Sequence, residues 1–480
     1  MQRFLKSGLL VLVAALSLAA GPQWDPAPWL ADLNQLRASI DHDYPNREWL
    51  TGQREVSLDR WFDRTANAIR QGGGDREARS ALDRLIERFN DGHITLSWAG
   101  SGGAGATPDH ASRARPTLAG FCAARGYDAG QVTAGTAAAV SGYRRIDTGG
   151  PLAAGVVSAN RTTIGVVRIG IFSPQGYPTL CEQAVANVGV AIDQPCDEAC
   201  DDRVVTEAYR LLTRSLITAV ERVHAVGAQV LLVDLTGNGG GSEWAEAAAR
   251  IVSPVSLRSA PLGVVRGEAW VHHWRDLAAK LRREADTTGQ ADRAMLTDLA
   301  ARADAIAEGL KPCPGTRCSL LSGAGFASGL VPEIPAGRLD GRKWAADVFS
   351  PAQFPYRDRV WNGPVIVLVD NETWSAAEQF TALLRDNGAV VVMGGRTGGA
   401  GCGHLDHADP VTLDHSKGVL EMPNCARFRR DGSNEVSGIV PDVMTGARAN
   451  DGVAYAGRLT AAQLPAAILQ AKALFARQRR

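Results

Sequence analysis

The chain has 480 residues, 21% of them charged and 45% apolar, with 51 Lys plus Arg against 51 Asp plus Glu. That balance is globular, excludes a disordered chain, and predicts two or three structural units rather than one core. A formal charge of zero gives no electrostatic case for nucleic acid or an acidic membrane surface as partner.

Arg3 and Lys6 open the chain and precede an apolar run, residues 8–20, that ends in small residues. The run is too short to span a bilayer and has the layout of a secretory signal peptide, residues 1–20. No second apolar run of about 18 residues follows, so no membrane contact is expected after signal removal, and the protein is expected to be exported, periplasmic or secreted. Eight cysteines, an even number, suit an oxidising compartment. Cys196 with Cys200, Cys313 with Cys318 and Cys402 with Cys425 are natural local pairs, which leaves Cys122 for Cys181. Cys402, His404 and His407 also form a C-x-H-x-x-H cluster open to zinc. A matching Cys425 favours the disulfide, leaving both histidines as exposed loop residues and the metal count at none.

Residues 28–90 carry helical periodicity in Trp29, Leu33, Leu36 and Ile40, then in Phe62, Ala66 and Ile69, then in Leu82, Leu85, Ile86 and Phe89. They predict a helical N-terminal unit over 21–98. Residues 99–160 read as a loop-rich link, with a Gly/Ala/Ser-rich stretch at 99–114. An α/β core over 161–450 follows: strands at 163–172, 230–235, 365–370 and 389–393 alternate with helices at 204–226, near 242 and at 375–385. A charged helical hairpin at 268–310 interrupts it, within an insertion of about 265–345 that reads as a solvated arm or a lid. A C-terminal helix lies within 451–480, with Pro465 suited to its first turn.

Three segments could carry chemistry. Asp234-Leu-Thr-Gly-Asn-Gly-Gly-Gly241 joins a strand to a helix, where glycines expose backbone N–H groups that stabilise negative charge. It lacks the Lys-Ser/Thr of a phosphate loop, so an oxyanion hole fits better than phosphate binding, and a plain turn is the bland alternative. Ser375, at the other strand-to-helix junction, begins Ser-x-x-Glu378, which is a capping box on one reading and an activated nucleophile on another. His93, in Asp91-Gly-His93, is a candidate base held between a glycine and a short β-type run.

Together these segments resemble the tail-specific, or C-terminal-processing, serine peptidases, whose core is ClpP/crotonase-like with repeated ββα units. The resemblance rests on DGHITL at 91–96, RIGIF, VDLTGNGGG, VIVLVDNETWSAAEQF and NEVSGIVPD, in the family's order. One branch of that family pairs serine with a lysine about 25 residues on; here that position is Ala400, with only Lys343 and Lys417 in the neighbourhood. The other branch resembles the tricorn core protease and implies a Ser375, His93, Glu435 triad, with Glu435 following Ser375 by 60 residues. It implies oxyanion donors at the backbone of Ala376 and of Gly239 or Gly240, no cofactor, and a peptide or unfolded polypeptide as substrate. Gly92 and the bulky Trp374 depart from the family pattern, and no peptide-binding domain of the PDZ kind is apparent between His93 and Thr163. The same core admits three other uses: a lipophilic-ligand binder, as in retinoid-binding relatives, a catalytically dead scaffold, or a carboxylic-ester hydrolase.

Overall fold

The computed structural model describes residues 24–98, 117–312 and 318–479. The signal-peptide reading, the 99–114 stretch and Cys313, the expected partner of Cys318, lie outside the described residues.

Seven strands form the central sheet, in the order Val443–Met444, Val391–Gly394, Val365–Val369, Val230–Asp234, Thr162–Arg168, Ala154–Ala159, Arg144–Ile146. The first five run parallel and the last two are antiparallel hairpin partners. Val230–Asp234 and Val365–Val369 are buried throughout, as expected for parallel strands covered on both faces. One face is covered by Glu198–Ala225, Trp244–Val252 and Ala376–Asp386, around buried Leu212, Leu216, Trp244 and Phe380. The other is covered by Val453–Gln478 through Leu464, Ala467, Ile468 and Ala471. The α/β class and the strand-helix alternation read from the sequence are both present.

The C-terminal helix differs from expectation at its start. It begins at Val453, twelve residues before Pro465, which sits inside it. Proline removes one helical hydrogen bond there and crowds the carbonyl of Ala461, a cost that burial of the helix against the sheet outweighs. By length and composition alone Val453–Gln478 is apolar enough to cross a bilayer, a property the sequence reading passed over.

The N-terminal unit comprises Ala27–Asp43, Arg47–Gly52, Leu58–Gln71 and Asp75–Glu87. In Leu58–Gln71 the Ser57 hydroxyl accepts from Arg60 N–H at 3.4 Å, and Leu58, Phe62, Thr65 and Ile69 face inward at helical spacing. This unit is tied to the far end of the chain: Thr95–Ser97 pairs antiparallel with Val419–Glu421, and Leu413 and Leu420 join its apolar core. That tie carries residue 93 to the core. The insertion is a helical hairpin, Glu268–Thr287 against Gln290–Gly309, with its own core that includes the Cys402–Cys425 disulfide. Cys122–Cys181 and Cys196–Cys200 are also bonded, as paired above.

Candidate active site

Ser375 stands between the strand Val365–Val369 and the helix Ala376–Asp386, at φ 53° and ψ −118°. A non-glycine residue there stores roughly 1–3 kcal/mol of strain, which the surrounding packing must hold. The corner brings the hydroxyl within reach of His93, whose Nε2 lies 3.1 Å from Ser375 Oγ. The two residues are 282 positions apart in sequence. The Nδ1–H of His93 donates to the carbonyl oxygen of Ala400 at 2.7 Å, which fixes the ring and leaves Nε2 as the acceptor for the serine proton. Burial lowers the His93 pKa to about 4, against the opposing pull of the Ala400 carbonyl, so the imidazole is neutral at pH 7 with Nε2 able to accept a proton.

Two buried carboxylates support this pair. Asp91 accepts from Tyr44 hydroxyl at 3.0 Å, Asn46 Nδ2 at 2.9 Å and the His93 backbone N–H at 3.0 Å, and its Oδ1 stands 3.9 Å from His93 Nδ1. Burial raises its pKa to about 6. Glu378 accepts four donors: Thr397 hydroxyl at 2.5 Å, Gly399 N–H at 2.9 Å, Ala400 N–H at 2.8 Å and Ser375 N–H at 3.2 Å. Burial raises its pKa, also to about 6. The capping-box reading and the nucleophile reading of Ser-x-x-Glu therefore meet in one arrangement, because Glu378 holds both the serine backbone and the peptide unit that orients His93.

Glu435 is placed differently from the resemblance. Its two oxygens accept from Arg427 Nη2 at 2.7 Å and Nε at 3.0 Å, and its side chain reaches no atom of His93 by hydrogen bond among the described residues. Arg427 in turn donates to the carbonyls of Gly401, at 2.7 Å, and Ser375, at 3.4 Å. A buried guanidinium needs a carboxylate partner, and this one takes both oxygens, so Glu435 acts on the 400–401 segment rather than on the imidazole.

The glycine-rich turn also needs one correction. Gly240 N–H donates to Asn238 Oδ1 at 2.9 Å, so it is not free to bind an oxyanion. Its role is close approach: at φ 116°, a Cβ there would lie 2.8 Å from the Ser375 Cβ. Gly241 and Ala376 line the cavity, whereas Gly239 is exposed beside it. Ala376 begins the helix, where backbone N–H groups have no intrahelical partner. The cavity, about 260 Å³, is lined further by Leu262, Gln379, His404 and Leu405. His404 is exposed, as expected of a loop residue, yet its ring stands 5.7 Å edge-on from His93. A Cβ on Gly403 would come within 2.9 Å of His93 Nε2. Gly92 and Trp374 are neighbours in space: a Cβ at 92 would touch the Trp374 ring at 3.4 Å, an ordinary contact, and crowd Ala400 Cβ at 3.2 Å. No group of three or more metal-ligating side chains occurs among the described residues.

Sequence reasoning missed Asp91, Ala400, Gly403 and Arg427. Asp91 was adjacent to the quoted histidine and had a signal. A backbone carbonyl has none, because every residue type supplies one.

A hydroxyl on a strained strand-to-helix corner, a neutral imidazole within its reach and a helix N-terminus opening on the same cavity at Ala376 define a serine hydrolase. Residues 207–445 match the model of peptidase family S41, and the chain belongs to this family of serine peptidases. The match takes in Ser375 and Glu435 and leaves His93 outside. No curated protein matches the chain. Among solved structures, mature CPAF complexed with lactacystin is similar at TM-score 0.59 and 13% identity, over 94% of this chain and 99% of that one. Mature CPAF is similar at TM-score 0.58 and 14% identity, over 94% and 98%. At such identity the likeness is one of fold.

Proposed function

We propose that this serine peptidase is exported and hydrolyses peptide or unfolded polypeptide through Ser375 and His93. The observation that carries the reading is the 3.1 Å approach of His93 Nε2 to the Ser375 hydroxyl on its strained corner. In the acylation step His93 Nε2 takes the hydroxyl proton as Oγ attacks the scissile carbonyl, then returns it to the leaving amine. The oxyanion is held by the N–H of Ala376 together with that of Gly239 or Gly241, since the Gly240 N–H is taken by Asn238. Water repeats the sequence on the acyl-enzyme and releases the second product. The His93 ring is held by the Ala400 carbonyl, and Glu435 supports that carbonyl's segment through Arg427.

Export is supported by the basic-then-apolar start of the chain and by three disulfides in the described residues. An intact Ser375–His93 pair has no use in a lipophilic-ligand binder or a scaffold, and family membership favours amide over ester substrates. The test is hydrolysis of an unfolded, reduced polypeptide by the purified protein. Wild type is expected to cleave it, with Ser375→Ala and His93→Ala reduced by at least about 10⁴-fold. Equal cleavage by Ser375→Ala would sink the assignment.

A further inference from the structure

A second cavity of about 240 Å³ is lined by Arg258, Pro261, Phe326, Leu383, Arg429 and Arg430. Its lining residues are neighbours of those of the catalytic cavity on three elements at once. On the helix Ala376–Asp386, Gln379 lines the catalytic cavity and Leu383, one turn on and on the same face, lines the second. Beside the helix, Arg427 lines the first and Arg429, two residues on, the second. Leu262 and Ala327 line the first, and their neighbours Pro261 and Phe326 the second.

The groove is apolar beneath and cationic at its rim, and its arginines are anchored. The Asn387 side chain accepts from the Arg258 N–H at 3.1 Å and donates to the Arg258 carbonyl at 3.0 Å, while the Arg258 guanidinium lies over the Phe326 ring, 5.5 Å from its centre. Arg429 is neutralised by Asp386, which also accepts the Arg430 N–H. The guanidinium groups of Arg258 and Arg430 have no carboxylate partner among the described residues, although the chain as a whole is neutral. Two unpaired, fork-shaped donors over an apolar floor match a carboxylate on a flexible chain.

We propose that this groove is a substrate subsite that reads a peptide carboxylate, from a glutamate or aspartate side chain or from a free C-terminus. The inference rests on the peptidase reading and adds a substrate preference to it. From Ser375 to the stretch of helix at 383–386 is about 12–17 Å at 1.5 Å per residue. An extended peptide covers that in about four to five residues. The carboxylate is therefore read about four to five residues from the scissile bond.

The test uses end-blocked, neutral, fluorescent peptides with one glutamate moved stepwise along them, each beside its glutamine twin, plus one set with a free C-terminus. Wild type is read by kcat/KM and by mapping the cleaved bond, and Ser375→Ala by binding anisotropy. The expected result is about a tenfold glutamate-over-glutamine ratio at one spacing, with the cleaved bond moving as the glutamate moves. That ratio should fall to about one in Arg258→Ala/Arg430→Ala and below one in Arg258→Glu/Arg430→Glu. A preference confined to the free-ended set would assign the groove to the chain terminus. A ratio near one at every position and in both sets, or one that survives the double substitution, overturns the subsite. If wild type cleaves nothing, the peptidase reading fails, while the anisotropy ratio on Ser375→Ala still decides the groove.

Discussion

The carbonyl oxygen of Ala400 accepts the Nδ1–H of His93 at 2.7 Å, at the position 25 residues after Ser375 where relatives of one branch carry a lysine. The backbone at that position thus supplies the acceptor that orients the His93 ring, and the imidazole facing Ser375 comes from the N-terminal unit instead of a side chain at 400. What orients the histidine is a neutral dipole, itself fixed from both sides. Glu378 holds the Ala400 N–H, and Arg427 holds the next carbonyl, that of Gly401.

Glu378→Gln tests the first of these supports. The carboxylate accepts four donors, and an amide turns one of its two ends into a donor facing N–H groups. Turnover is expected to fall by about 10²-fold through loss of alignment, with KM little changed. Steady-state kinetics on one peptide checks the split, and a change confined to KM would contradict it.

Glu435 separates the present arrangement from a direct triad. If its carboxylate touched the imidazole, Glu435→Gln would cost about 10⁴-fold in kcat, as loss of an orienting acid does. Held by Arg427 instead, Glu435→Gln is expected to cost about tenfold or less. Glu435→Ala strands a buried guanidinium and is expected to lose roughly 3–5 kcal/mol of stability, measurable by denaturant unfolding.

Gly403→Val places a side chain where a Cβ alone would come within 2.9 Å of His93 Nε2. The expected outcome is a loss of at least about 10²-fold in kcat with little change in Tm, since Gly403 lies at a cavity wall rather than in a core. Thermal unfolding and peptide turnover on the same preparation check both halves.

The pH profile follows from His93. Its folded pKa of about 4 lies below the ordinary 6.5, so the acid limb of kcat/KM is expected near pH 4 and not near 6.5. For stability, the neutral ring is favoured on folding, so this contribution is full above about 6.5 and is lost as pH falls toward 4. Asp91 has the opposite sign. Its pKa is raised from 3.8 to about 6, so its contribution is present below 3.8 and lost as pH rises through 6. The two oppose each other between pH 4 and 6, so initial rates, not unfolding midpoints, report His93.

The parts legible in the sequence were those with local grammar. Apolar runs such as Val365–Val369 and the glycine-rich turn at 237–241 announce strand and corner by composition, and Ser-x-x-Glu announces the helix start. The hairpin Glu268–Thr287 and Gln290–Gly309 was legible from its helical stretches. Illegible were the contacts that cross the chain. Glu435 was implied as a triad acid by the family resemblance alone, and nothing near it says that Arg427, eight residues earlier, will be buried beside it. Gly240 looked like an oxyanion donor because the claim of Asn238 on its N–H depends on the turn's shape. The start of the last helix was misplaced because Pro465 is a start signal locally, while burial of Ala456, Gly457 and Thr460 draws the helix back to Val453.

The most direct measurement is the rate of covalent labelling by a fluorophosphonate, with the adduct mapped by mass spectrometry. The account predicts a single adduct on Ser375 in wild type, none in Ser375→Ala, and labelling slowed by at least about 10³-fold in His93→Ala. A folded wild type that remains unlabelled, or equal labelling of wild type and His93→Ala, would contradict it.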